Sequence, residues 1–217
     1  MNTGSPIKGL MIYSFHSASG NLTIIFLVCL VMAAGLLITG NGQIYFWLGV
    51  LAINAPVYII IAGMAAKTGV MWKRFQLAMP VKRSDLVSLQ YIQVIFASIV
   101  GVPLFLVCAG IVSALHEGYP DFTVAEAFIQ ISPFFSMSLL MAGLFFPLAC
   151  LKISENRQEA FSIACFLVSV IIVMPLVGTK SGIPRDIAAL LVFAISSVAF
   201  IISFVITNRL YSLYVNL

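Results

Sequence analysis

The chain has 217 residues, of which 62% are hydrophobic and 8% are charged, and its mean hydropathy is +1.13. Soluble domains contain about 25% charged residues, so this composition excludes an ordinary water-soluble protein. A membrane-spanning helix uses about 20 apolar residues. Six such helices with short connections nearly fill the chain, which leaves no room for a soluble catalytic domain.

Six apolar stretches follow one another along the chain, and each is long enough to span a membrane with some tilt. They lie at residues 21–39, 43–66, 88–115, 127–151, 160–177 and 187–207. Barrel strands would instead be alternating segments of about ten residues. The sequence therefore predicts an all-α, polytopic membrane protein whose six transmembrane helices form a single domain, residues 1–217.

Residues 67–87, between spans two and three, carry the most informative pattern outside the spans. Apolar residues recur there at helical spacing: Val70, Met71, Phe75 and Ala78. Pro80 interrupts this pattern, and Ser84 is predicted to cap the helix that leads into span three, with Asp85 behind it. We expect a short amphipathic helix, a kink and a restart. The segment is either a basic loop lying on anionic lipid headgroups or a docking helix for a soluble partner.

Residues 123–131, before span four, have apolar side chains on one side and polar ones on the other, and Pro133 follows. They form either a short helix on the outer membrane surface or the first turns of span four. Prolines at three further positions are expected to kink their spans or to mark places where neighbouring helices move: Pro103, Pro147 and Pro175.

The orientation follows from the basic residues, because short cytoplasmic loops carry an excess of Lys and Arg. With the N-terminus inside, nine of the 11 basic residues face the cytoplasm, and only Lys180 and Arg185 face outside. The loop at residues 116–123 has acidic residues but no Lys or Arg, and it falls outside. Both termini are therefore predicted to be cytoplasmic, and the net charge of +4 is a topology signal.

The predicted span cores contain no Asp, Glu, Lys, Arg or His. Ion-coupled carriers usually need such groups inside the membrane, so a self-powered carrier is disfavoured. The two histidines, His16 and His116, are predicted on opposite faces of the membrane, which disfavours an intramembrane hydrolase or metal site. We expect no catalysis and no metal or cofactor on this chain. The cysteines are interpreted as small buried hydrophobic residues: Cys29, Cys108, Cys150 and Cys165.

Strongly polar side chains are rare within the spans. Asn54 lies beside Pro56, where a kinked helix can leave a backbone carbonyl free, and Gln93 lies in span three. With Tyr58 they are candidates for a translocation path. The alternative for Asn54 is a hydrogen bond between two helices.

The segment between spans two and three also resembles a known pattern. Small six-helix permeases of type-two ATP-binding-cassette (ABC) exporters have W/Y-x-R-aromatic-x-L-S-L-P-V-S-R-x-x-hydrophobic-V at this place. The matching residues are Trp72, Arg74, Phe75, Leu77, Pro80, Val81, Arg83, Leu86 and Val87. Met79 and Lys82 stand where Leu and Ser are commoner in that family.

Two further regions are similar to the same family, so the resemblance touches most of the chain. Residues 5–17, which include Ile7–Tyr13, look like its amphipathic N-terminal helix. Lys152–Arg157 looks like its second cytoplasmic turn, with Ser154 where a glycine is usual.

The resemblance implies a permease subunit in a bacterial cell membrane. Such a subunit has no nucleotide site and pairs with a second permease, identical or different, and with cytoplasmic ATPase subunits that bind ATP and Mg²⁺. Closure of the ATPases would move spans two and three. Aromatic and Arg side chains carry much of the energy at interfaces. The implied ATPase contacts are Trp72, Lys73, Arg74, Phe75, Leu77, Met79, Pro80, Val81, Arg83, Lys152, Glu155 and Arg157.

A path without fixed charges suits amphipathic or hydrophobic cargo. The family resembled here includes exporters of amphipathic toxin peptides (phenol-soluble modulins) and bacteriocin-immunity permeases. Peptide export is thus the preferred interpretation, while export of antibiotics, lipids or small ions stays open. An alternative of another class is a non-transporting scaffold or sensor partner whose cytoplasmic loop binds a regulator.

Overall fold

The computed structural model describes residues 23–35, 37–39, 47–65, 82–115, 124–150, 155–177 and 184–214. Across these ranges the chain forms six helical segments and no strand. They are α1 (residues 23–35 and 37–39), α2 (residues 47–65), α3 (Arg83–Leu115), α4 (Val124–Ala149), α5 (Glu155–Val177) and α6 (Arg185–Tyr214). The all-α fold class is therefore confirmed for the described part of the chain.

Three of these helices contain stretches long and apolar enough to cross a membrane. These stretches are 28, 23 and 25 residues long, at Ser84–Ile111, Ala127–Ala149 and Asp186–Leu210. At about 1.5 Å per residue, each exceeds the roughly 30 Å of a bilayer's hydrocarbon core. Shorter apolar helices lie at Thr23–Thr39 and Trp47–Ala62. The chain is thus a multi-pass membrane protein.

The second helix, α2, changes its geometry half-way. A first turn at residues 47–49 continues as a π-helix, Val50–Asn54, and then as the α-helix Ala55–Ala65. Pro56 explains the change, because it has no N–H for the carbonyl of Ala52, and its ring would clash with that carbonyl in a regular α-helix. The wider π-helical turn relieves this conflict.

Contacts between rings give the directions of the longer helices. Phe105 of α3 packs against Phe134 of α4 at 5.6 Å between centroids, and Tyr91 packs against Phe146 at 4.7 Å. The residue numbers of the contacting rings rise along α3 as they fall along α4, so the two helices are antiparallel. By the same criterion α4 and α6 are parallel, because Phe193 faces residue 135 and Phe200 faces residue 143.

The buried apolar side chains form two clusters at different depths. The first joins residues of α1 to the early part of α2 and the later part of α3, for example Cys29, Ala52 and Phe105. The second joins the later part of α2 to the start of α3 and the end of α4, and it contains Val87 and Phe146. The opposite faces of several helices are apolar and exposed, as expected for surfaces in contact with lipid.

The helix bounds decide one alternative that the sequence left open and correct one expectation. Residues from Val124 onward belong to one continuous helix that ends at Ala149, so they are the first turns of α4 and not a separate outer helix. The third helix begins at Arg83, so Ser84 is already helical and does not cap it. The backbone N–H of Asp85 instead bonds to the carbonyl of Lys82 at 3.0 Å.

The three prolines expected to kink the spans all lie within helices, with Pro103 in α3, Pro147 in α4 and Pro175 in α5. The predicted N-terminal helix at residues 5–17 lies outside the described residues, as does most of the segment 67–87.

Candidate functional site

Most of the side chains expected to contact an ATPase lie outside the described residues: Trp72, Lys73, Arg74, Phe75, Leu77, Met79, Pro80, Val81 and Lys152. Of the others, Arg83 and Glu155 are the first residues of α3 and α5, and Arg157 is an exposed residue of α5. Because α3 and α4 are antiparallel and α5 begins six residues after α4 ends, α3 and α5 start at the same end of the bundle. The fold thus brings the beginnings of these two helices to one membrane face.

Asn54, the last residue of the π-helical turn, is buried between α2 and α4. It is 1% exposed, and its Oδ1 accepts a hydrogen bond of 2.9 Å from the hydroxyl of Ser138. Its Nδ2 has no hydrogen-bond partner among the described residues. The observed contact is the one expected of a residue that joins two helices inside a membrane.

The π-helical turn also lies directly against the backbone of α3. A Cβ atom on Gly101 would collide with the carbonyl oxygen of Ala52 and would lie 2.7 Å from the Cα of Ile53. Only glycine lets the two backbones approach so closely. The Ala52 carbonyl, to which Pro56 cannot donate a hydrogen bond, is therefore the carbonyl that packs against Gly101.

Tyr91 joins α3 to α4 and α6, and no pattern in the sequence indicated this role. Its hydroxyl lies 2.6 Å from the Ser203 hydroxyl and 2.8 Å from that of Thr207, so α3 is bonded twice to α6. Its ring lies 4.7 Å from Phe146, 4.9 Å from Phe200 and 5.2 Å from Phe204, between centroids. We call Tyr91, Ser203 and Thr207 with these three rings the tyrosine junction.

The other two residues predicted for a path are not brought to Asn54. Tyr58 lies one turn beyond Asn54 on α2 and packs against Phe166 of α5 at 6.2 Å between ring centroids. Gln93 is 4% exposed on α3, about two helical turns from Gly101. Both residues therefore lie away from Asn54 along the bundle.

Groups that could perform redox or metal chemistry are not assembled within the described bundle. No cluster of three or more His, Cys, Asp or Glu side chains occurs among the described residues. The cysteines are free thiols; Cys29, Cys108 and Cys165 are buried and Cys150 is half-buried. The buried polar side chains of the described bundle are hydroxyls and the amides of Asn54, Gln93 and Gln158, which can hold helices together or bind uncharged polar groups.

The described helices are apolar, and the polar side chains that they bury are uncharged, as in a polytopic membrane protein. The model of the ABC-2 family transporter proteins matches residues 11–213. The chain therefore belongs to this family of membrane permeases, and membership implies association with ABC ATPase subunits. No curated protein and no solved structure matches the chain at a significant level.

Proposed function

We propose that this chain is the transmembrane subunit of an ATP-driven exporter and forms the path for an amphipathic or hydrophobic cargo, with peptides as the preferred class. Membership in the ABC-2 family carries the proposal. The uncharged span cores support it, because an ion-coupled carrier would need ionisable groups there. Energy would then come from a separate ATPase that binds ATP and Mg²⁺.

The ATPase is proposed to dock on the segment 67–87 and, through a smaller contact, on the turn before α5. The common end of α3 and α5 supports this arrangement, since one partner could then contact both. Trp72 and Phe75 would be the apolar anchors, and Arg74 and Arg83 would set the orientation.

The π-helical turn of α2 gives the docking segment a mechanical link to the bundle. The helix Ala55–Ala65 follows that turn and leads towards residue 67. Helical irregularities of this kind are frequent at functional sites. We place the pivot of α2 at Asn54. Movement of the docking segment would then tilt the part of α2 that follows Asn54 relative to α4.

The assembly is proposed to contain two permease subunits in a bacterial cytoplasmic membrane, each with six spans and with both termini in the cytoplasm. Asn54, Tyr58 and Gln93 are the proposed cargo contacts. Because the structure buries Asn54 and Gln93, we assign their cargo contact to a more open state than the described one.

Co-purification tests the proposal. The chain is purified from its native membrane together with its bound partners, and the complex is assayed for ATP hydrolysis stimulated by amphipathic peptides. Phe75→Asp combined with Arg74→Glu should abolish both co-purification and stimulation. Lys180→Glu, which changes a charge on the predicted outer face, is the control and should leave both unchanged.

Two outcomes would contradict the proposal. Unchanged co-purification of the double variant would show that the ATPase does not dock on the segment 67–87. Recovery of a regulator without a nucleotide site, in place of an ATPase, would favour the scaffold or sensor alternative.

A further inference from the structure

The last helix, α6, ends on the membrane face where α3 begins. The hydroxyl of Tyr91 on α3 lies 2.6 Å from that of Ser203 and 2.8 Å from that of Thr207, both on α6. Because α3 is antiparallel to α4 and α4 is parallel to α6, α3 and α6 run in opposite directions. The first turns of α3 and the last turns of α6 therefore extend from this contact towards the same face.

The two helices also extend about equally far beyond the contact. Tyr91 lies about two turns, or about 12 Å, from the start of α3 at Arg83. Thr207 lies about two turns from the end of α6 at Tyr214, and Ser203 lies about three turns from it. The end of α6 thus reaches the level of Arg83, where the proposed docking segment enters α3.

The final turns of α6 extend beyond the apolar part of the helix. α6 has 30 residues, which is about 45 Å of helix, whereas the hydrocarbon core of a bilayer is about 30 Å thick. The stretch suited to crossing a membrane ends at Leu210, and the helix continues to Tyr214. This end of the chain contains Arg209, Tyr211 and Tyr214. Such residue types are frequent both at protein interfaces and among lipid headgroups, so the position has to decide between the two.

Exposed basic side chains share this end of the bundle. Arg209 is exposed on α6, Lys82 is exposed just before α3, and Arg157 is exposed near the start of α5. The starts of α3 and α5 and the end of α6 belong to one face, and α5 packs against α6. Glu159 is exposed there as well, so basic side chains outnumber acidic ones among the described exposed residues of this face. A partner with acidic groups is complementary to it.

We propose that the end of α6, with Arg209 on its surface, is a third contact for the ATPase, beside the segment 67–87 and the turn before α5. The ATPase is favoured over lipid as the occupant, because the end of α6 lies at the level where the same partner is proposed to dock on α3. Arg209 pairs there with an acidic group of the ATPase. The inference rests on the proposed function, since it needs an ATPase on this face.

Photo-crosslinking in the native complex tests the contact. Arg209 is replaced by benzoylphenylalanine, and the chain is irradiated in its native membrane, purified with its bound partners and analysed by mass spectrometry. The expected product is an adduct with a nucleotide-binding ATPase, because the two other contacts keep the partner in place. Phe128 is the matched control, since it is an exposed aromatic residue near the start of α4, at the opposite end of the bundle. Benzoylphenylalanine there should give no such adduct.

Other products would overturn the inference. Adducts from position 209 with lipid alone or with a second copy of this chain would show that the end of α6 does not meet the ATPase. An equal ATPase adduct from position 128 would show labelling without regard to the face. Benzoylphenylalanine in place of Phe75 separates this failure from that of the proposed function. An ATPase adduct from position 75 but not from 209 would reject the third contact alone, whereas a complex without any ATPase would reject both.

Charge reversal gives a second measurement. Arg209→Glu should lower the amount of ATPase that co-purifies with the chain by about fivefold, as expected when one interface arginine is lost. Arg185→Glu is the matched control, because it makes the same change at the other end of α6, and it should leave the amount unchanged. Equal amounts of ATPase with both variants and the unchanged chain would overturn the pairing of Arg209.

Discussion

The hydroxyl of Tyr91 on α3 lies 2.6 Å from the hydroxyl of Ser203 on α6, although 112 residues separate them in the chain. The proposed docking segment ends where α3 begins, and Tyr91 lies about two turns into that helix. These contacts therefore connect the first turns of α3 directly to α6.

Tyr91→Phe should destabilise the bundle while leaving its shape intact. The substitution keeps the three ring contacts and removes both hydroxyl contacts, with Ser203 and Thr207. Hydrogen bonds between membrane helices average about 0.6 kcal/mol, so a loss of about 1 kcal/mol is expected. Unfolding in denaturing detergent measures it. A combined Tyr91→Phe and Ser203→Ala variant should lose less than the sum of the single variants; additive losses would contradict the bond.

Gly101→Ala should disturb the contact between α2 and α3. Its Cβ would collide with the Ala52 carbonyl, and forced overpacking costs about 1–3 kcal/mol. Gly110→Ala is the control on the same helix, because a Cβ there meets no atom within 4 Å. The control should be neutral or stabilising by up to about 1 kcal/mol, since alanine is the better helix former. Equal melting temperatures of the two variants would contradict the close approach.

Ser138→Ala should loosen α2 from α4 by removing the donor to Asn54. We expect a loss of about 0.6 to 1.7 kcal/mol in unfolding experiments. Ser136→Ala is the matched control on α4, because the Ser136 hydroxyl donates only to the Ser132 carbonyl of its own helix, at 2.7 Å. The control should cost less. A reversed order of the two variants would argue against Asn54 as the joint between the helices.

Single cysteines test the proposed topology in a chain whose own four cysteines are replaced by alanine. In intact cells, a membrane-impermeant maleimide should label Lys180→Cys but not Ser154→Cys. Both should react after the cells are made permeable. Labelling of Ser154→Cys alone in intact cells would invert the topology, and labelling of both would contradict the number of spans between them.

Part of the candidate site could be predicted from local features of the sequence. Asn54 beside Pro56 was recognisable because an amide in an apolar stretch is rare and because proline disrupts a helix in a known way. The structure adds the π-helical turn and the partner Ser138. The tyrosine junction could not be predicted in this way. Tyr91 is an amphipathic aromatic residue in an apolar helix, and the partners of its hydroxyl lie more than a hundred residues away.

The cap of α3 and the start of α4 show a second kind of difference. Ser84 has the residue type of a cap, yet the helix begins one residue earlier, at Arg83, and the N–H groups of Asp85 and Leu86 bond to the carbonyl of Lys82. Residues from Val124 onward could form a surface helix or the start of a span, and their local pattern is the same in both cases. The continuous backbone of α4 decides between them.

The sequence by itself determined the class of this protein, because hydropathy and the scarcity of charge are local properties that a bilayer reads directly. The basic and aromatic pattern between spans two and three also identified the family, which the family match confirms. The tertiary structure alone decided which polar side chains meet. Such pairings depend on helix direction, register and rotation, and apolar spans of similar composition are compatible with many of these arrangements.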